Sequence, residues 1–137
     1  MRHFLLKSEP EVFSWAMQQR AGVEPWTGVR NAQAAAVLRA MAVGDRAFFY
    51  HSNTGREVVG IVEVVRAAYP DPTAEDGRWA CVDVRALEAL PRPVTLAAIK
   101  AEPRLAGIPL LRQSRLSCMA LSPEHWEVIC AMGGLAA

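Results

Sequence analysis

Short apolar runs alternate along the chain with turns rich in glycine, proline and asparagine. The first run, His3 to Lys7 (HFLLK), predicts a strand. Ser8-Glu9-Pro10-Glu11 follows as a helix start, with Ser8 as cap and Glu11 three residues on. It predicts a helix over Val12 to Arg20 that ends near Gly22. A loop carrying Trp26 and Gly28 leads to Asn31, which caps a second, alanine-rich helix from Ala32 to Met41. Gly44-Asp45 turns the chain into a strand over Arg46 to Ser52, Asn53-Thr54-Gly55 makes a hairpin turn, and Glu57 to Arg66 (EVVGIVEVVR) returns. That return run is apolar at odd and even positions alike, so both of its faces must be covered.

Ala68 to Gly77 (AYPDPTAEDG) reads as a polar loop, and Trp79 to Leu87 as a further strand. Thr95 caps a short helix to about Glu102, Arg115 to Met119 is another strand, and Ser122-Pro123 starts a last helix that Gly133 stops. The pattern predicts a mixed α/β fold: about five or six mostly antiparallel strands in a small closed or nearly closed barrel, with helices outside. No repeat or linker divides the 137 residues, so they form one domain.

Composition narrows the picture. Hydrophobic residues make up 52% of the chain and charged residues 21%, which excludes a disordered chain and supplies a core without disulfides. A net charge of +1 gives no global pull toward a polyanion, although all but two of the fifteen basic residues are arginine, the side chain suited to phosphate and base contacts. The three cysteines are widely separated, sit in apolar runs and lack metal-ligand spacing. With no leader-like segment and no apolar run long enough to cross a bilayer, they suggest a cytoplasmic protein.

Catalytic motifs are absent. His51 and Ser52 are neighbours on a predicted strand and point to opposite faces, so they cannot form a nucleophile–base pair. No GxSxG elbow, glycine-rich phosphate loop or metal-ligand spacing occurs, so no catalytic residue, metal or cofactor is assigned. Another constellation gathers at predicted strand ends and loops: Lys7, Ser8 and Glu9; Trp26; Arg30 and Asn31; Tyr50, His51 and Ser52. Gly60 interrupts the strand that pairs with the last three, as at a bulge or where a ligand nears the backbone. Together they supply what a flat heteroaromatic base needs: an aromatic plane, hydroxyl and amide groups for its edges, and cations for its phosphates.

The segments KSEPEVFSW (Lys7 to Trp15), WTGVRNAQAAAVLRAM (Trp26 to Met41), GDRAFFYHS (Gly44 to Ser52), AYPDPT (Ala68 to Thr73) and RQSRLSCM (Arg112 to Met119) occur in an order that resembles the EVE family. The resemblance covers nearly the whole chain. It implies a PUA-like barrel related to YTH readers, and a module that binds modified bases such as modified cytosine in DNA, or RNA by kinship, and performs no chemistry. An accessory RNA-binding protein linked to RNA modification is the alternative.

Carried onto this sequence, Lys7 and Ser8 are similar to the Lys-Ser pair beside the base in YTH domains, and Trp26 to one wall of their aromatic cage. Tyr50, His51 and Ser52 match the family's YHS; Val29, Arg30 and Asn31 lie in its VRN; Ser117 lies in RLS. A basic patch from Lys7, Arg30, Arg112 and Arg115 is expected at the pocket mouth, with acidic residues such as Asp71, Glu75 and Asp76 away from it or on the mobile loop.

Overall fold

The computed structural model describes residues 1–135. Six strands form one sheet in the order β2-β5-β4-β3-β1-β6. They are β1 (His3–Ser8), β2 (Val23–Pro25), β3 (Arg46–His51), β4 (Glu57–Pro70), β5 (Ala80–Thr95) and β6 (Cys118–Leu121). The helices are α1 (Trp15–Ala21), α2 (Ala32–Ala40), α3 (Leu96–Ala101), α4 (Pro109–Arg112) and α5 (Pro123–Met132). Every strand pair is antiparallel except β1 with β3, which run parallel from His3↔Arg46 to Ser8↔His51.

The barrel expected from the sequence is not closed by hydrogen bonds. The ladder ends at β2 on one side and β6 on the other, strands of three and four residues. Helix α2 packs against β4, β5 and β6 together, so the sheet curls around side chains where it does not join edges. Past Ala89, β5 leaves β4 until Val94. In that gap Pro91 and Pro93 have no N–H, and the Arg92 N–H donates to the Gly133 carbonyl at 3.0 Å.

The caps Asn31, Thr95 and Ser122 each accept the backbone N–H three residues on, as local chemistry predicts. Ser8 does not cap. It is the last residue of β1, its hydroxyl donates to the Phe13 carbonyl at 2.6 Å, and Ser14 caps α1 instead. The chain from Glu9 to Phe13 is therefore a turn, closed by the Val12 and Phe13 N–H groups on the Glu9 carbonyl. Both long strands also outrun their sequence patterns: β4 continues through Arg66 to Pro70, and β5 through Leu87 to Thr95.

Strand β3 is covered on both faces, with Ala47 through Tyr50 all buried. Phe48 stacks on Trp126 at 3.9 Å, and His3 stacks on the same indole at 4.4 Å. Its neighbour Phe49 points the other way, into Trp15, Trp26 and Phe13. The three cysteines are free and buried, and burial raises the Cys118 thiol to about 12.

Gly60 answers to packing. It sits at a register shift in β4, and a Cβ there would stand 2.4 Å from the Trp15 ring. The bulge thus admits a tryptophan of this chain, where the sequence had left room for a ligand. Gly60→Ala is expected to destabilise the protein by about 1–3 kcal/mol in urea denaturation. In a Trp15→Leu background that penalty should shrink; an equal penalty in both backgrounds would place the strain elsewhere.

Candidate functional site

The parallel pairing of β1 with β3 brings the two strand ends side by side, Lys7 against Tyr50 and Ser8 against His51. Beyond Ser8 the Glu9–Phe13 turn forms one wall of a cavity of about 500 Å³. The segment from Glu24 to Arg30 forms the other, and Lys7 and Ser117 complete the lining. The Trp26 N–H donates to the Val82 carbonyl at 2.7 Å, continuing the β2–β5 pairing one residue into the loop.

Trp26 is 8% exposed. Its ring meets Phe49 edge-on at 5.6 Å and Phe13 at 6.3 Å, while the residue also borders the cavity. It is both core anchor and cavity wall. Truncation to alanine should cost the full ~3–5 kcal/mol of a core aromatic.

Asp71 fixes the shape of this wall. Its side chain is fully enclosed, and its Oδ2 accepts the Gly28 N–H at 2.8 Å and an Arg30 guanidinium N–H at 3.0 Å. Its Oδ1 accepts the backbone N–H and the hydroxyl of Thr73, both at 2.7 Å, and Arg30 reaches Thr73 Oγ1 at 2.9 Å. Burial pushes the Asp71 carboxyl upward, but the bonds from Thr73, Gly28 and Arg30 outweigh it and hold the group far below the usual carboxylate range. Gly28 lies at φ +85°, in the left-handed region that glycine tolerates, which aims its N–H at the carboxylate.

Asp71 lies on the predicted loop, one of the two placements expected, yet it does not stand away from the site: it pairs with Arg30 beneath it. The signal was present in Asp71-Pro72-Thr73, whose Asp-x-Thr spacing favours a side chain bonding its own backbone two residues on.

Of the sequence-predicted residues, Lys7, Ser8, Glu9, Trp26, Val29, Arg30 and Ser117 line this cavity. Tyr50 and Ser52 line a second one, of about 380 Å³, which shares Lys7 with the first. Asn31 is occupied as the α2 cap, and Gly60 lies under Trp15. Arg112 and Arg115 are exposed and border neither cavity, so the basic patch does not gather as expected. Phe13, Val12, Glu24 and Thr27 line the first cavity without having been singled out. Phe13 was hidden because the residues after Ser8 carry a helix-start pattern that Ser14 fulfils instead.

Lys7 donates its ammonium to the Ser114 carbonyl at 2.8 Å, and burial lowers its pKa. His51 is structural: its Nε2 accepts the Trp15 backbone N–H at 3.0 Å. Burial lowers its pKa, offset in part by Glu57 and Glu11. Among the described residues no group of three or more His, Cys, Asp or Glu side chains could hold a metal, and no helix is long and apolar enough to cross a membrane.

A family model described as "EVE domain" matches residues 2–132. Thymocyte nuclear protein 1 of Gallus gallus is 33% identical, over 95% of this chain and 68% of the relative. Among solved structures, Rpa0253 of Rhodopseudomonas palustris is 52% identical with a TM-score of 0.95, covering 100% of this chain and 96% of that one. The human THYN1 protein in complex with 5-methylcytosine-containing DNA is 30% identical with a TM-score of 0.91, covering all of both chains.

Two outcomes follow from these contacts. Asp71→Asn removes the enclosed charge and should lower stability by about 1–3 kcal/mol. Arg30→Ala should cost under ~1 kcal/mol, because that side chain is 38% exposed and solvent screens it. Chemical denaturation ranks the two, and the reverse order would remove Asp71 from its central place. His51 should titrate in NMR with a midpoint below the ordinary imidazole value of about 6.5. Stability it contributes is then complete above that pH and is lost as pH falls from it toward the folded midpoint. A midpoint at or above the ordinary value would contradict the acceptor role of Nε2.

Proposed function

The chain belongs to the EVE domain family, and from that membership we propose that it is a binding module that takes a modified nucleobase, such as modified cytosine, from DNA or RNA into the Trp26 cavity. One observation carries the reading: the human relative of the same fold, matched over its whole length, is the one in complex with 5-methylcytosine-containing DNA. The module holds the base and performs no chemistry on it. Its cysteines, free and buried, suit a reducing compartment, and we place it in the cytoplasm.

The cavity chemistry supports this reading. Its size of about 500 Å³ falls in the range of small-molecule sites. A base lifted from its strand loses a few kcal/mol of stacking and pairing, which the pocket must offset. Trp26 and Phe13 line the cavity, and an aromatic face turned toward a stacked base is worth roughly 1–3 kcal/mol. Glu9 and Glu24 bring carboxylate acceptors to the same cavity, the groups that pair with the exocyclic amine of cytosine. Val12 and Val29 supply apolar contact for a methyl group.

The magnitudes set what selectivity to expect. Burying one methyl contributes about 0.8 kcal/mol, so 5-methylcytosine should be preferred over cytosine by about fourfold from burial alone. Fluorescence anisotropy with matched oligonucleotides, methylated or not, as DNA and as RNA, measures this directly. Trp26→Phe keeps a π-face and should bind within a few-fold of wild type. Trp26→Ala should bind about ten- to a hundredfold more weakly in whatever fraction remains folded. Equal affinity for modified and unmodified strands, together with undiminished binding by folded Trp26→Ala, would refute the proposal. The RNA arms decide which nucleic acid is preferred.

A further inference from the structure

The second cavity differs from the first in charge. Its lining carries three cations, Lys7, Arg56 and Lys100, and no carboxylate. None of the three is in a salt bridge among the described residues, although Arg30, Arg85 and Arg104 all are. The nearest acid in sequence, Glu57, does not line the cavity, and its charge acts on His51. Hydroxyls of Tyr50, Ser52 and Ser114 share the lining, and neither the Tyr50 nor the Ser52 hydroxyl has a hydrogen-bond partner among the described residues. Three uncompensated cations beside free hydroxyl donors are arranged for an oxyanion.

The β3–β4 turn positions one of these cations. Among the described residues only two non-glycine positions have positive φ, Asn53 at 69° and Arg56 at 49°, and both lie in the β3–β4 turn at this cavity. Left-handed backbone is what a tight hairpin turn requires, and Asn tolerates it well. Here it delivers Arg56 to the lining. The Arg56 Nε donates to the Asn53 carbonyl at 3.2 Å, which orients the guanidinium and leaves its terminal nitrogens available.

We propose that this second cavity is a phosphate site, filled by a backbone phosphodiester of the strand whose base enters the first cavity, with Lys7 as the wall common to both. The part of this that concerns the strand rests on the base-binding reading; the phosphate chemistry does not. Adjacent cavities fit adjacent parts of one nucleotide, a neutral ring in the Trp26 cavity and its charged linkage in the cationic one. The phosphate contact is blind to sequence, so it should add affinity without altering the preference for a modified base.

The test compares wild type with Arg56→Gln, Lys100→Gln and the double variant. The control is Arg20→Gln, an exposed residue of α1 that lines neither cavity. Affinity for a methylated and an unmodified oligonucleotide is measured across a salt series. Each cavity variant should flatten the slope of log affinity against log salt by about 0.7–0.9 and weaken binding several-fold. The ratio of methylated to unmodified affinity and the thermal midpoint should stay unchanged, and the control should match wild type. Slopes equal to wild type in both single variants would overturn the proposal.

If wild type binds no oligonucleotide, the base-binding reading fails separately, and inorganic phosphate and pyrophosphate decide the remainder. Side-chain NMR shifts at Arg56 and Lys100 that saturate in wild type, with the Lys100 shift weakened in Arg56→Gln and the Arg56 shift weakened in Lys100→Gln, would assign the cavity to a free phosphate compound. No shift would overturn the phosphate assignment as well.

Discussion

The enclosed carboxylate of Asp71 is the constraint on which the site depends. A charge without solvent is tolerated only where donors surround it, and here four donors from three residues do so. Those donors come from two segments far apart in sequence, the loop after Trp26 and the turn after β4. Satisfying one anion therefore fixes the relative position of both. The Trp26 wall stands where it does because its loop cannot swing without stranding that charge.

A second constraint comes from β3, the strand with aromatic rings on both faces. Phe48 belongs to the Trp126 side and Phe49 to the Trp26 side, so the strand transmits position between the two halves of the core. Its parallel partner β1 brings Lys7 and Ser8 to the same end as Tyr50 and His51. An antiparallel pairing would have sent those ends to opposite edges of the sheet, and the two cavities could not share Lys7.

Much of this was legible in the sequence where the determinant is local. Asn31, Thr95 and Ser122 announce their helices because each cap bonds a backbone group three residues away. The apolar run announces β4 as a strand but overstates its cover: Val58, Gly60, Val62 and Val64 bury one face, while Glu57, Val59, Glu63 and Val65 leave the other half-buried around Ile61. Ser8 misled because two serines compete for one helix start, and the loser is decided by the ladder that holds β1 against β3. Barrel closure could not be read, since it depends on whether distant edges find each other. Asp71 was read as part of a polar loop, because its partners Gly28 and Arg30 lie more than forty residues upstream. For Trp26 the sequence signals the cavity wall but not its core contacts, because Phe13 and Phe49 reach it only through the fold.

The stretch of β5 from Pro91 to Pro93 has a consequence for how copies of the chain meet. Two of its three residues carry no N–H, and the third gives its own to Gly133. An incoming strand finds no donor row there to template against. The strand at one end of the sheet order, β2, is three residues long and closes on Pro25. Edge-to-edge aggregation, the usual liability of an open sheet, is thus opposed by the backbone itself, with proline where a surface charge often serves.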